Sequence, residues 1–253
     1  MFDHAVIPCA RIAHDAAAAE IYPAALENDL SSFVLNCERD RSIVLDAGKT
    51  ALACIDFQKD FLAADGMAAT RGAAVEHLRE ALPGAQLALA AARKAGIFVF
   101  HTREVYTADL SDLNLYRRRY DTVVGAAGPL GRFLIRGERG SELVESMRPL
   151  PAEPVIDKAG FSAFHQTTLD TILRVRGIET LLITGVTTQC CVASTLRSAV
   201  DTGYGCVLLS DACAAYDPAD HEATLRVMYS ESDTLGWVSD SLRFSNAIQA
   251  QLP

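Results

Sequence analysis

Residues 181–200 read LLITGVTTQCCVASTLRSAV, an apolar run that ends in Gly-Val-Thr-Thr before two adjacent cysteines. The apolar run predicts a buried strand, and the residues from Cys191 onward predict a helix. A buried strand that leads directly into a helix is the repeating unit of a parallel α/β fold. The stretch therefore indicates the fold class. It also raises the question of whether the two cysteines form a reactive site or are only packed in a core.

The same alternation of strand and helix extends along the chain from Thr50. Strands are predicted at ALACIDF (51–57), IFVFHT (97–102), EPVIDK (153–158), ETLLITGV (179–186), GCVLLSDA (205–212) and LGWVSDS (235–241). Helices are predicted at 73–96, with Gly96 as the stop, at 166–177, from Cys191, and from near Pro218. Strands that are apolar on both faces and alternate with helices indicate a Rossmann-like three-layer α/β fold, with a mostly parallel sheet of about six strands covered by helices on both faces.

Two segments depart from this pattern and set the predicted domain organisation. Residues 1–48 show no sustained period and are predicted to be an N-terminal arm that packs on the core or on a neighbouring subunit, so that 49–253 forms the α/β domain. Residues 103–153 are too long for a plain connection, which predicts a lid or insert with a helix of its own.

Composition and charge narrow the possible classes of function. The chain has 253 residues, a formal net charge of −9 and a pI near 5.1, which argue against a nucleic-acid surface or a polybasic membrane anchor. The basic run YRRRY (116–120) is predicted to be a solvated or interface segment. Neither a secretory signal nor a spanning segment is recognisable, and the seven cysteines are an odd number, so a reducing, cytoplasmic location is expected. No C-x-x-C pair or histidine cluster indicates a structural metal.

Three kinds of reactive side chain follow predicted strands. Asp56, Lys158 and the cysteine pair stand where three strands end, and ligands of open parallel sheets bind beyond the carboxyl ends of the strands. A thiol at the first turn of a helix, with a lysine nearby, is expected to have a lowered pKa. With a carboxylate to take its proton, such a thiol suits acyl transfer at an amide carbon.

Less specific interpretations of the same residues remain open at this point. Free cysteine is among the most buried residue types, an aspartate at a strand end is often a cap, and a single lysine is often solvated. Helical spacing also leaves open which of Cys190 and Cys191 would react. Both lie off the face marked by the apolar side chains Val192, Leu196, Ala199 and Val200.

Four stretches in this order resemble the isochorismatase-like cysteine hydrolases, which include nicotinamidases, N-carbamoylsarcosine amidases, ureidoacrylate hydrolases and biuret or triuret hydrolases. The stretches are ACIDFQKDF (53–61), VIDKAGFSAF (155–164), GVTTQCCV (185–192) and LLSDACAA (208–215). The resemblance extends from about Thr50 to Asp240 and agrees with the predicted fold.

The resemblance implies a catalytic triad of Asp56, Lys158 and Cys191, with Cys190 as a bystander. It also implies a cis peptide bond between Val186 and Thr187, and an oxyanion bound by the backbone N–H groups of Thr187 and Cys191. Isochorismatases proper lack the nucleophilic cysteine, so its presence favours amide chemistry.

Other positions depart from the metal-binding members of the family. Nicotinamidases that bind metal carry Asp-x-His after the second strand, where this chain has Glu104 and Tyr106. We therefore expect no catalytic metal and no cofactor.

The stretches around HTRE (101–104), GPLGRFLIRGERG (128–140) and DKAGFSAF (157–164) resemble biuret and triuret hydrolases. The candidates for binding substrate are Phe57, Gln58, Arg103, Phe161 and Glu231.

The predicted function is hydrolysis of a C–N bond in a small ureide or amide, biuret-like or triuret-like, with release of ammonia through a thioester. The alternatives are hydrolysis of an N-carbamoyl amino acid, a ureidoacrylate or another small amide, or a non-catalytic scaffold with the same fold. The only partner expected besides substrate is a second copy of the chain, because family members are commonly dimers or tetramers.

Overall fold

A parallel sheet of six strands forms the centre of the computed structural model, which describes residues 32–230 and 234–251. In chain order, the strands of the described residues are β1 Ser32–Cys37, β2 Arg41–Asp46, β3 Thr50–Ile55, β4 Phe98–Glu104, β5 Ala127–Gly128, β6 Gly131–Arg132, β7 Val155–Lys158, β8 Thr180–Val186, β9 Gly205–Ala214 and β10 Trp237–Ser239. Strands β1 and β2 pair with each other outside the central sheet, and so do β5 and β6. The order in the sheet is β10-β9-β8-β3-β4-β7, and every neighbouring pair is parallel. The predicted fold class is confirmed.

Helices cover both faces of the sheet. They are α1 Lys59–Leu62, α2 Met67–Thr70, α3 Val75–Arg79, α4 Ala81–Lys94, α5 Leu115–Tyr120, α6 Leu169–Val175, α7 Ala193–Thr202, α8 Pro218–Ser230 and α9 Ser241–Gln249. Alternate residues of the strands face opposite layers, as strand geometry requires. In β3, Leu52 and Cys54 face the layer of α4 and α9, whereas Ala51 and Ala53 face the layer of α6, α7 and α8.

The helix predicted over 73–96 is two helices, α3 and α4. Pro83 is the third residue of α4 and has no N–H to donate to the carbonyl of Arg79, so one hydrogen bond that would continue α3 is missing. Gly84 follows it and lies so close to β9 that a Cβ there would stand 2.6 Å from the carbonyl oxygen of Asp211. The predicted stop at Gly96 is confirmed, because α4 ends at Lys94 and Gly96 has a φ of 68°.

The described part of the predicted arm is a β-hairpin. Strands β1 and β2 pair in antiparallel register, and Phe33, Leu35 and Leu45 are buried in the same core as α4 and α9. The hairpin also contacts β10, because Glu38 N–H donates to the carbonyl of Val238 at 2.8 Å. Residues 1–31 of the predicted arm lie outside the described residues.

The long segment between β4 and β7 has a small core of its own, as an insert would. Its buried side chains are Tyr106, Leu113, Val124, Leu134 and Ile135. It contains α5 and the short ribbon of β5 and β6. The two-residue strands pair through the turn between Gly128 and Gly131, and α5 lies at the carboxyl end of the sheet near the strand ends described below.

Among the residues that the structure describes, the longest helix is α4 with 14 residues, and none is long and apolar enough to cross a membrane.

Candidate active site

Three strand ends bring Asp56, Lys158 and Cys191 together. The chain runs from β3 to β4 and β7 on one side, then returns with β8 on the other side of β3. The topological switch point therefore falls between β3 and β8, which is where ligands bind in open parallel sheets. Asp56 directly follows β3, Lys158 ends β7, and Cys191 lies five residues after the last residue of β8.

Asp56 and Lys158 form a fully buried ion pair. The Lys158 Nζ stands 2.7 Å from Asp56 Oδ2, and Nζ also donates to the carbonyl of Gly160 at 2.9 Å. Thr102 holds the other carboxylate oxygen, since its hydroxyl donates to Asp56 Oδ1 at 2.6 Å. Burial lowers the pKa of Lys158, but the negative charges of Asp56 and Glu104 and the hydrogen bond to Asp56 outweigh burial and raise it above the ordinary value. The ammonium group therefore stays charged at neutral pH.

Cys191 lies in a single turn of π-helix at Thr188–Val192, and α7 begins only at Ala193. The peptide bond between Val186 and Thr187 is cis, which is the geometry that the resemblance implies. The expected lowering of the thiol pKa is wrong for Cys191. The adjacent Cys190 sulfur, burial and the carboxylates of Asp56 and Glu104 raise the pKa, and Lys158 lowers it. The resting sulfur is thus a neutral thiol that needs a base before it attacks.

The two cysteines are electrostatically distinct although they are adjacent. Cys191 is buried, and Cys190 is only partly buried. The interaction between the two adjacent thiols lowers the pKa of Cys190 while it raises that of Cys191. The position of Cys191 against the two carboxylates, rather than its acidity, is what distinguishes it as the candidate nucleophile.

A small cavity of about 180 Å³ opens onto Cys191. Val186, Thr187 and Cys190 line it on the side of β8, and the insert contributes Arg117 and Leu134 from above. Its remaining lining residues are Phe61, Glu104, Phe133, Phe161 and Tyr216. Phe161 is the one predicted substrate-binding residue that the structure places in this cavity.

A wider groove of about 720 Å³ along α5 shares Arg117, Phe133 and Phe161 with this cavity. The groove is larger but does not reach the thiol, so it is an approach to the site rather than its centre. YRRRY was predicted to be a solvated or interface segment, and the solvated alternative is wrong for Arg117, whose guanidinium points into the site. Arg118 instead bonds the carbonyl of Leu110, and Arg119 stacks on Tyr120.

Two other predicted substrate-binding residues lie elsewhere. Phe57 is fully buried in the core on the α4 face. Arg103 pairs with Asp157 at 2.8 Å and lines a separate cleft with Lys59 and Glu142. The alternation of side chains along β4 explains this, because neighbours in a strand point to opposite faces. Glu231 lies outside the described residues.

Gln58 acts on the site by holding the backbone of Glu104. Its side-chain amide donates to the carbonyl of Glu104 at 3.0 Å and accepts from the Glu104 N–H at 2.7 Å. The sequence interpretation assigned Gln58 to substrate and missed Glu104, which lies against the thiol. The predicted strand ended at Thr102, whereas the observed strand extends to Glu104, so the available signal was only that Glu104 lies two residues beyond a strand end at the same rim.

One group of three possible metal donors occurs among residues 32–230 and 234–251. Single donor atoms of Asp56, Glu104 and Cys191 lie within 4.8 Å of one another. Each carboxylate already has a cationic partner, Lys158 for Asp56 and Arg117 for Glu104. A metal ion would have to compete with both cations, and the expectation of metal-independent chemistry stays a prediction.

A doubly covered parallel sheet with a buried thiol beside an acid–lysine pair at its switch point defines the class as an α/β cysteine hydrolase. The family model of the isochorismatase domain matches residues 50–241. The chain belongs to the isochorismatase family of hydrolases, and the resemblance seen in the sequence is confirmed.

Relatives and solved structures agree with this assignment. The chain is 31% identical over 234 residues to the ureidoacrylate amidohydrolase RutB of Acinetobacter baylyi, which covers 85% of this chain and 90% of the relative. It is 32% identical over 227 residues to RutB of Methylorubrum extorquens, covering 84% of this chain and 88% of the relative. A cysteine hydrolase from Pseudomonas syringae pv. phaseolicola superposes with a TM-score of 0.71 at 27% identity, covering 82% of this chain and 95% of that structure.

Proposed function

We propose that the protein is a cysteine-dependent amidohydrolase that cleaves a C–N bond of a small ureide, biuret-like or triuret-like, and releases ammonia through a thioester. The observation that carries the proposal is the buried Cys191 thiol, which faces a closed ion pair of Asp56 and Lys158 at the switch point of the sheet. A scaffold protein has no need for a buried ion pair beside a thiol that opens onto a cavity, and burying those charges is costly. The arrangement therefore favours an enzyme over the scaffold alternative.

The size of the cavity supports a small substrate. At about 180 Å³ it lies below the range of about 300–1,000 Å³ typical of sites for drug-sized ligands. Its walls combine aromatic rings with a few polar groups, which suits a flat, polar molecule such as a ureide. A ureide has both the carbonyl carbon to be attacked and several N–H donors that a carboxylate accepts.

In the proposed reaction, Asp56 takes the proton of the Cys191 thiol while the sulfur attacks the carbamoyl carbon. Lys158 holds Asp56 in place, and the oxyanion is bound by the backbone N–H groups of Thr187 and Cys191. Collapse of this intermediate breaks the C–N bond, and Asp56 returns the proton to the departing nitrogen, which leaves as ammonia. Asp56 then removes a proton from water, whose oxygen attacks the thioester carbon. The C–S bond breaks, and Asp56 passes that proton to the departing sulfur, which restores the Cys191 thiol and the Asp56 carboxylate.

A second candidate substrate class is favoured by the relatives. Those at 31% and 32% identity are ureidoacrylate amidohydrolases, so a ureidoacrylate or an N-carbamoyl amino acid is the alternative. These substrates carry a carboxylate, and biuret and triuret do not. Arg117 lines both the cavity and the groove along α5, and a longer substrate would extend from the cavity into this groove. A homo-oligomer, dimer or tetramer, remains part of the proposal and would be measured by sedimentation.

The test is ammonia release by the purified protein from biuret, triuret, a ureidoacrylate, N-carbamoyl amino acids and nicotinamide. We expect turnover of a ureide that falls at least about 1,000-fold in Cys191→Ala, because removing a nucleophile removes the covalent route. Cys190→Ala is the matched control and should retain most of the activity. Turnover of nicotinamide alone would contradict the ureide assignment, and loss of activity in Cys190→Ala with Cys191→Ala intact would reverse the choice of nucleophile.

A further inference from the structure

A second carboxylate, that of Glu104, lies against the reactive sulfur. Glu104 is the last residue of β4, and its side chain is 4% exposed. The Cys191 thiol donates to Glu104 Oε2 across 3.7 Å. The mechanism proposed above assigns this carboxylate no role, although a buried charge without a function is a cost to the fold.

The geometry leaves one oxygen of Glu104 directed at the sulfur. Its other oxygen, Oε1, accepts from the Tyr106 hydroxyl at 2.8 Å and from Arg117 Nη1 at 2.5 Å. The backbone of Glu104 is fixed as well, because Gln58 bonds both its N–H and its carbonyl. With Oε1 and the backbone held, Oε2 has little freedom to turn away from Cys191.

Arg117 ties this carboxylate to the insert. Its guanidinium also bonds Asp121 at 2.7 Å, within the same insert, and lies 5.0 Å from the centre of the Phe161 ring. Arg117 therefore balances the charge of Glu104 and at the same time forms part of the cavity wall. It acts on the thiol through Glu104, so it is a positioning residue.

Asp56 and Glu104 differ in what occupies their oxygens. Both oxygens of Asp56 already have a partner, Thr102 at 2.6 Å and Lys158 at 2.7 Å. Of the two carboxylates, Glu104 is the one to which the resting thiol donates. The negative charge of Glu104 also contributes to the raised pKa of Cys191, after the contributions of Cys190, burial and Asp56.

We propose that Glu104 is an additional catalytic residue, which holds the Cys191 proton in the resting enzyme and accepts an N–H of the carbamoyl group once substrate is bound. This inference rests on the proposed function. When the sulfur turns to the carbonyl carbon, the substituents of that carbon come within reach of Oε2. An ionised carboxylate has only acceptors, so it favours a terminal carbamoyl NH₂ there and disfavours a substrate carboxylate at the same point.

The experiment measures alkylation of Cys191 by iodoacetamide as a function of pH, in a background that carries Cys9→Ala and Cys190→Ala. In this background Cys191 is followed beside Cys37, Cys54, Cys206 and Cys213, which are buried. Removing a negative charge next to a thiol stabilises the thiolate. In Glu104→Gln we therefore expect the apparent pKa of alkylation to fall by about one unit. Ammonia release should fall at least tenfold in the same variant, because its acceptor for the carbamoyl N–H is weakened. A faster thiol with slower turnover is a combination that a purely structural role does not produce.

Glu145→Gln is the matched control, since Glu145 pairs with Arg148 in the same insert but is exposed, and it should change neither measurement. Glu104→Asp keeps the charge that Arg117 needs and withdraws the carboxylate from the sulfur, so it serves if Glu104→Gln does not fold. It should shift alkylation in the same direction and also slow turnover.

Alkylation profiles that match the parent in both variants would overturn the inference. Alkylation needs no substrate, which separates this inference from the proposed function. A shifted pH profile of alkylation in a protein that hydrolyses none of the ureides would support the coupling of Glu104 to the thiol and contradict the ureide assignment. Turnover that rises in Glu104→Gln would overturn the part of the inference that concerns substrate.

Discussion

At the scale of single residues, the site is built from charges that the fold buries in pairs. Asp56 and Lys158 are both fully buried, and so is Thr102, whose hydroxyl orients Asp56. A buried ion pair contributes little net stability, but removing one partner leaves an uncompensated charge. Substituting one residue of the pair should therefore lower the stability of the fold more than removing both charges together.

The Lys158→Met variant is expected to lose activity and about 3–5 kcal/mol of the free energy of unfolding, because Asp56 would be left buried without its cation. The double variant Asp56→Asn with Lys158→Met removes both charges and should regain part of that stability without regaining activity. Urea denaturation and ammonia release measure the two effects. A single variant as stable as the double one would show that the pair is not desolvated as the structure has it.

Glu153 lies away from the reactive thiol and contacts His101 in β4, the strand that ends in Glu104. Arg93 donates to both of its oxygens at 2.8 Å, and His101 and the N–H of Leu150 contact Oε2. Burial raises the pKa of Glu153, but these hydrogen bonds outweigh burial and lower it from 4.5 to about 2. A lowered pKa means that the carboxylate stabilises the fold above its ordinary pKa, and that this contribution is lost as the pH falls through the range between the two values.

The Glu153→Gln variant should therefore be less stable than the parent at pH 7, and the difference should shrink as the pH falls below about 5. Urea denaturation midpoints between pH 7 and pH 4 check this, with exposed Glu145→Gln as a control that shows no difference at either end. A stability gap that stays constant across this range would mean that Glu153 acts through its shape and not through its charge.

At the scale of elements, the N-terminal hairpin is the largest departure from the sequence interpretation. In β1, buried and exposed side chains alternate strictly. The alternation is hidden in the sequence because exposed Val34 and Val44 are as apolar as their buried neighbours. Period-2 reasoning needs polar residues on the outer face, and this hairpin lacks them at those positions.

Phe33→Ala tests whether the hairpin belongs to the folded core. Phe33 is 1% exposed, and its ring lies 5.9 Å from that of Phe244 in α9, so the substitution should cost about 3 kcal/mol of unfolding free energy. Val44→Ala is the matched control, because Val44 is 69% exposed and should change stability by less than about 0.5 kcal/mol. Equal urea midpoints for the two variants would mean that the hairpin is only an attached arm.

At the scale of the whole molecule, what the sequence predicted and what it missed have physical reasons. The parallel sheet was predictable because strands buried on both faces are continuous apolar runs, as in β3 and β8. Asp56, Lys158 and the cysteine pair were predictable as neighbours because parallel strands end at one rim, whereas the choice of Cys191 over Cys190 came from the resemblance to the family. The ion pair of Arg117 and Glu104 was not predictable. It joins a strand end to an insert without periodicity, and residue types alone do not show which acidic and basic side chains form an ion pair.

The charge balance of the whole site leads to a last prediction, on metals. Asp56, Glu104 and Cys191 are donors that a divalent cation could use, but Lys158 and Arg117 already supply the positive charge. Adding a dication would leave those two cations close to it in a poorly solvated space, which is unfavourable. We expect prolonged treatment with a chelator to leave ammonia release within about twofold of the untreated rate. Added Zn²⁺ should inhibit by binding the thiolate, less strongly in Glu104→Gln, which lacks one of the donors. Loss of activity on chelation, restored by a single metal, would show that the site takes a cation despite Lys158 and Arg117.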